Sequence, residues 1–155
     1  MTPAINAAKK FNIEHTLHEY IHDPAAESFG LEAAEKLNII EQRVFKTLVV
    51  ALDNYDLVVG IIPVGKKLSM KQIAKALGEK KAAMADKLTV ERATGYVLGG
   101  VSPLGQKKRL KTVIDLSAQQ YDTVFVSAGR RGLEIELSPK DLTMLTSAVI
   151  ADIAQ

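Results

Sequence analysis

Hydrophobic and polar positions change their spacing several times along this chain, and the changes divide it into short elements. Ile5, Ala8 and Phe11 recur at helical spacing, Thr2 is placed to cap that helix, and Pro3 suits its first position. The stretch IEHTLHEYI alternates instead. Ile13, Leu17 and Ile21 share one side with His15 and Glu19, and Thr16, His18, Tyr20 and His22 share the other, which predicts a half-buried strand with a polar face. LEAAEKLN predicts a short amphipathic helix. VFKTLVVALD and YDLVVGIIPV are near-continuous β-branched runs with a turn at Asp53, Asn54 and Tyr55, so they predict two neighbouring central strands.

Further along, Ser69 and Gln72 form a capping box for the helix MKQIAKAL, which Gly78 ends. Asp86 caps a helix at KLTVERAT, stopped by Gly95. Strands follow at KTVIDL, TVFVSA and GLEIEL. Ser138 and Pro139 open a last helix whose buried stripe is predicted as Leu142, Leu145, Val149, Ile150 and Ile153. Strict βαβ alternation is missing. The pattern predicts an α+β domain built on a mixed, largely antiparallel sheet surrounded by helices, with residues 1–155 as one unit.

Composition narrows the chemistry. The 155 residues contain no cysteine, which excludes disulfides, zinc-thiolate sites and a cysteine nucleophile. The longest apolar runs are far shorter than the ~18–20 residues that span a bilayer, and the N-terminus lacks an apolar signal core, so a cytoplasmic protein without membrane contact is the expectation. A net charge of +2 makes any contact with nucleic acid a matter of local clusters. These stand at Lys66 and Lys67, Lys80 and Lys81, Lys107 to Arg109 with Lys111, and Arg130 and Arg131. Each also reads as ordinary solvated surface.

Three features carry candidate chemistry. Lys46 shares a strand face with Leu48, Val50 and Leu52, so its ammonium either reaches solvent at the strand's start or sits in a partly desolvated pocket. TGYVLGGVSPLGQKKR packs four glycines before a basic cluster. Its tandem Gly99 and Gly100 can aim N–H groups at one point, for an oxyanion or a phosphate, or can simply make a turn. It fits neither the Walker A nor the GxGxxG pattern. Third, His15, His18 and His22 are divided between opposite strand faces, so no metal site is expected. Phe29, an aromatic in a polar loop, suits base stacking or plugging the next helix.

FKTLVV around Lys46, the GGVSPLG loop and the tail RGLEIELSPKDL together resemble the YbaK family of free-standing aminoacyl-tRNA deacylases, and the likeness covers nearly the whole chain. The family is related to the editing domain of bacterial prolyl-tRNA synthetases. The resemblance implies cleavage of Cys-tRNA(Pro) and Cys-tRNA(Cys), in trans with prolyl-tRNA synthetase, without a cofactor, and with the substrate's own thiol attacking its ester. It implies catalytic roles for Lys46, Gly99 and Gly100. It further implies substrate contacts from Tyr20, Phe29, Thr47, Val101, Ser102 and Pro103, and tRNA contacts from Lys107, Lys108, Arg109, Arg130 and Arg131. Two other readings stay open: editing of Ala-tRNA(Pro), and a non-catalytic module that binds tRNA or a synthetase.

Overall fold

A computed structural model describes all 155 residues, Met1 to Gln155. In chain order the elements are α1 (Pro3–Lys10), β1 (His15–Glu19), α2 (Phe29–Lys36), β2 (Phe45–Leu52), β3 (Leu57–Pro63), α3 (Met70–Ala76), β4 (Ala82–Met84), α4 (Lys87–Thr94), β5 (Lys111–Asp115), β6 (Val124–Arg130), β7 (Leu133–Leu137), α5 (Pro139–Thr146) and β8 (Val149–Ala151). The helix starts follow from the caps. Thr2, Ser28, Ser69, Asp86 and Ser138 each accept the N–H three residues on, satisfying a donor the helix cannot.

The α+β class read from the sequence is borne out, with the strands divided over two sheets. The larger runs β4-β2-β3-β5-β8, antiparallel from β4 to β3 and parallel from β3 to β8. The smaller runs β1-β7-β6 and is antiparallel throughout. A single bridge between Val44 and Phe125 ties one sheet to the other. β3 explains the apolar density of its sequence, because both its faces are buried. Val59 and Ile61 meet Val126, Ile135 and Leu142 in the core shared with the smaller sheet. Val58 and Ile62 meet Ile73, Ala74 and Ile153 in a second core beneath α3.

Two predicted elements differ from the structure. The last helix ends at Thr146, where Ser147 takes a left-handed φ of 52°, and Val149–Ala151 pairs in parallel with β5. The stripe therefore splits. Leu142 is buried on the helix, Ile153 is buried beyond β8, and Val149 is exposed. The first strand is shorter than its alternation implies and turns its other face inward: Leu17 and Ile21 are exposed, while His18, Tyr20 and His22 are half-buried. β4, too short to show a period, was not among the predicted elements.

One buried carboxylate anchors the C-terminal segment. Asp115, at the end of β5, accepts the N–H groups of Ile153 at 3.0 Å and Ala154 at 3.1 Å, and both the N–H and the hydroxyl of Ser117. Asp115→Ala strands these donors in an apolar setting and is expected to cost about 2–4 kcal/mol. The midpoint of urea denaturation measures it, and an unchanged midpoint would show that Asp115 does not anchor the segment.

Candidate active site

The two sheets part where β2 begins, and a cavity of about 330 Å³ opens there. Separate stretches of chain supply its walls. Tyr20 comes from the end of β1, Glu27 to Gly30 from the entry to α2, and Phe45 to Leu48 from β2. Val64 follows β3, Leu98, Gly99 and Val101 come from the glycine loop, and Ser127, Arg130, Arg131 and Glu134 from the β6–β7 hairpin.

Inside, one buried hydroxyl lacks any hydrogen-bond partner and two ionisable groups lack a counter-ion. Lys46 Nζ donates to the Val64 carbonyl at 3.2 Å and pairs with no carboxylate; burial holds its pKa below the ordinary lysine value. The Thr47 hydroxyl is buried without any hydrogen-bond partner. Glu134 is buried without an ion pair, and desolvation pushes its pKa up to about 8. A carboxyl in that state is neutral at pH 7 and able to donate a hydrogen bond. Tyr20 is raised to about 12, first by burial and then by the nearby Glu134 and Glu32 carboxyls, so its hydroxyl also stays protonated.

A stacked lid closes one side. The Arg131 guanidinium lies 4.4 Å from the centre of the Phe29 ring and donates to the Leu98 carbonyl at 3.0 Å. Gly99 fits beneath this pair with φ of 92°; a Cβ there would stand 2.5 Å from Arg131 Nε and 2.8 Å from the Phe29 ring. The His22 ring, 5.5 Å from Phe29, backs the stack. His22 is fixed in turn by the buried Glu32, whose carboxylate also takes the Asp23 N–H. Burial opposes the charge on Glu32, but these bonds and Lys36 outweigh it and hold its pKa low.

Residues 23–145 match the family model of the aminoacyl-tRNA editing domain. The chain belongs to that family. It is similar to the "Putative Cys-tRNA(Pro)/Cys-tRNA(Cys) deacylase EbsC" of Enterococcus faecalis (strain ATCC 700802 / V583), with 44% identity over 120 residues that cover 77% of this chain and 73% of that protein. Among solved structures, hypothetical protein APE2540 superposes with a TM-score of 0.86 at 27% identity, covering 99% of each chain. A structure described as "a putative trans-editing enzyme for prolyl tRNA synthetase" superposes with a TM-score of 0.84 at 22% identity, over 99% of this chain and 95% of the other, and so shares the fold.

In this editing domain, eight of the residues singled out in the sequence line the cleft: Tyr20, Phe29, Lys46, Thr47, Gly99, Val101, Arg130 and Arg131. Six others, Gly100, Ser102, Pro103, Lys107, Lys108 and Arg109, do not. Gly100 donates its N–H to Val97 at 2.9 Å, and it must be glycine because the Arg130 backbone would lie 2.8 Å from a Cβ. Its donor is therefore committed to the loop itself, whereas Gly99 and Val101 leave theirs free. Ser102 is fully buried and its hydroxyl accepts the Leu104 N–H. Pro103 lines a different groove with Lys108 and Arg109, so the cluster at 107–109 stands across the loop from the cleft.

The histidines are held separately. His15 bonds to the Ile13 carbonyl, His18 to Glu136 and His22 to Glu32. Glu136, left without a role by the sequence, is a structural hub. Burial works against its charge, but hydrogen bonds from Thr123 and His18, with the Arg43 charge, hold its pKa low. Glu134 is the cleft residue that the sequence reading missed. The only signal was the strand pattern of GLEIEL, which puts two glutamates on one face beside His18 and Tyr20.

The raised pKa of Glu134 has a thermodynamic sign. Folding favours its protonated form, so its contribution to stability is full below the ordinary value of 4.5 and is lost as pH rises through about 8. Glu134→Gln removes that dependence. The melting temperature of the wild type relative to this variant is expected to fall by about 5 °C or more between pH 5 and pH 8, at ~1.4 kcal/mol per pKa unit and ~2–4 °C per kcal/mol. Parallel melting curves across that range would reject a neutral Glu134.

Proposed function

We propose that this editing domain is a trans-acting deacylase that removes cysteine from mischarged Cys-tRNA(Pro), accepts Cys-tRNA(Cys), and draws its nucleophile from the substrate. One observation carries the reading. The cleft gathers a single-partner ammonium, an orphan hydroxyl and two free backbone N–H groups, yet its own hydroxyls have no base. The Ser28 hydroxyl caps α2, the Ser127 hydroxyl accepts the Gly129 N–H, and the Thr47 hydroxyl is hydrogen-bonded to no histidine or carboxylate. Such a site is suited to holding an ester and stabilising an oxyanion.

The chemistry then balances within the substrate. The cysteine sulfur forms a bond to its own ester carbonyl carbon as the thiol gives up its proton. The carbon–oxygen bond to the terminal ribose breaks, and that oxygen takes a proton. The products are free tRNA and a cyclic thioester, with no change of oxidation state. Lys46 and the N–H groups of Gly99 and Val101 offer charge and hydrogen bonds to the carbonyl oxygen and the flanking phosphate. Thr47 and the neutral Glu134 fix the aminoacyl group.

Phe45, Leu48, Val64 and Val101 make apolar walls, but such walls separate similar side chains by only ~1–3 kcal/mol. Need for a thiol discriminates far more sharply against proline and alanine. Arg130, tied only to the exposed Glu19 at 3.7 Å, is free to exchange that partner for a tRNA phosphate, and Arg131 stands beside it. Prolyl-tRNA synthetase enters this reading as the source of the mischarged ester.

The reading is tested by incubating the protein with cysteinyl-, S-methylcysteinyl-, alanyl- and prolyl-tRNA(Pro). Loss of cysteine alone is the expected result. Equal loss of S-methylcysteine would overturn the thiol mechanism. Comparable loss of alanine would assign the domain to alanine editing, and salt-sensitive tRNA binding without cleavage would make it a binding module. Lys46→Ala is expected to lower kcat/KM by about 10²–10³.

Thr47→Val separates function from stability. Deleting a hydroxyl that has no partner is expected to raise the melting temperature, by roughly 1 kcal/mol of stability, while lowering kcat/KM about tenfold. A destabilised variant, or one with full activity, would show that the hydroxyl is not held for substrate.

A further inference from the structure

We propose that the groove behind the glycine loop is an RNA-backbone site that holds the acceptor arm while its 3′ end enters the cleft. The proposal rests on the deacylase reading for the identity of its ligand and adds where the rest of that ligand lies. The groove, about 190 Å³, runs between the end of α1, the loop and α5, with Phe11, Pro103, Gly105, Lys108, Arg109 and Leu145 among its lining.

Charge is the first argument. None of the 12 lining residues is acidic, and Lys9, Lys10, Lys107 and Lys111 stand within two positions of lining residues in the sequence. None of these cations belongs to an ion pair of the fold. The cavity at Lys66 makes the contrast, because Glu41, Asp115 and Asp152 share its walls.

Phe11 is the second. It is 57% exposed at the end of α1, with Lys10 Nζ 5.7 Å from its ring centre. An exposed ring among cations suits an unpaired base stacked between phosphates, a combination an acidic protein surface would not need. Position is the third. Gly99 and Val101 face the cleft while Pro103 and Gly105 face the groove, so the two sites are walls of one loop. Six residue steps bound their separation at ~20 Å of chain, within reach of an unpaired 3′ end.

Two variants address the two sides of the groove: Lys108→Glu/Arg109→Glu, and Lys10→Glu/Phe11→Ala. Lys66→Glu/Lys67→Glu supplies, elsewhere on the surface, the same charge change as the first variant and twice that of the second. Affinity for uncharged tRNA is titrated between about 50 and 200 mM salt, with melting curves to verify folding. Both groove variants are expected to bind tRNA at least about tenfold more weakly at low salt. The slope of log Kd against log salt should fall by roughly 0.7–0.9 for each phosphate that the variant no longer neutralises.

Deacylation of cysteinyl-tRNA is expected to fall at least about tenfold more than that of a cysteinyl CCA trinucleotide. Affinities within about twofold of wild type, an equal loss in the Lys66/Lys67 control, or polyglutamate competing as well as tRNA would each overturn the proposal. Wild-type cleavage of the trinucleotide ester tests the deacylase reading separately, because tRNA affinity reports on the groove whether or not the ester is cut.

Discussion

Desolvation of polar groups without partners is the constraint around which this editing domain is organised. Elsewhere its interior obeys the ordinary rule. Glu32 is met by His22, Lys36 and a backbone N–H; Asp115 takes three N–H groups and a hydroxyl; Glu136 is shared by His18, Arg43 and Thr123. At the start of β2 the rule lapses. Lys46 has one carbonyl, Thr47 has nothing, and Glu134 stays protonated because no charge answers it. A fold that pairs its other buried carboxyls with care, and leaves these groups together in one cleft, holds them ready for something that arrives later.

Holding that arrangement takes rigid surroundings. β2 and β3 are joined by seven facing residue pairs and lie between two cores, so Lys46 and Thr47 project from a strand packed on both sides. The roof is built differently, from a short chain of contacts: Glu32 to His22, His22 to Phe29, Phe29 to Arg131, Arg131 to Leu98. Stacking and single hydrogen bonds are individually weak. The floor is thus a continuous hydrogen-bonded sheet, and the roof a relay of side-chain contacts between α2, the glycine loop and the β6–β7 hairpin.

What the sequence could convey follows from this division. Regular elements announce themselves through period and caps, and Lys46 stood out because strand parity set an ammonium among Leu48, Val50 and Leu52. Parity has no meaning in irregular backbone. The loop's composition was visible, but not that Gly100 spends its N–H on Val97 or that Ser102 turns inward. Glu134 was hidden for another reason. Alternation in GLEIEL sends it away from the core of Leu133, Ile135 and Leu137, which normally means solvent; distant segments, the entry to α2 and the glycine loop, cover it instead. At the C-terminus the spacing fits a continuing helix equally well, and pairing with β5 decided the matter beyond Ser147.

The density of glycine between Gly95 and Gly105 has a mechanical origin. Gly99 lies under Arg131 and Phe29, and Gly100 against the Arg130 backbone. Gly105 meets the Pro3 carbonyl, which would stand 2.5 Å from a Cβ. The loop is wedged on one side against the β6–β7 hairpin and on the other against α1, with the Tyr96 hydroxyl bonded to the Leu104 carbonyl between them. A segment packed on both faces has little room for a larger side chain, because close-packed contacts resist compression. Gly99 and Val101, the two loop residues whose N–H groups remain free beside the cleft, lie within this held segment. The same wedge that requires glycine sterically makes the loop a fixed spacer between a basic outer wall and the inner site.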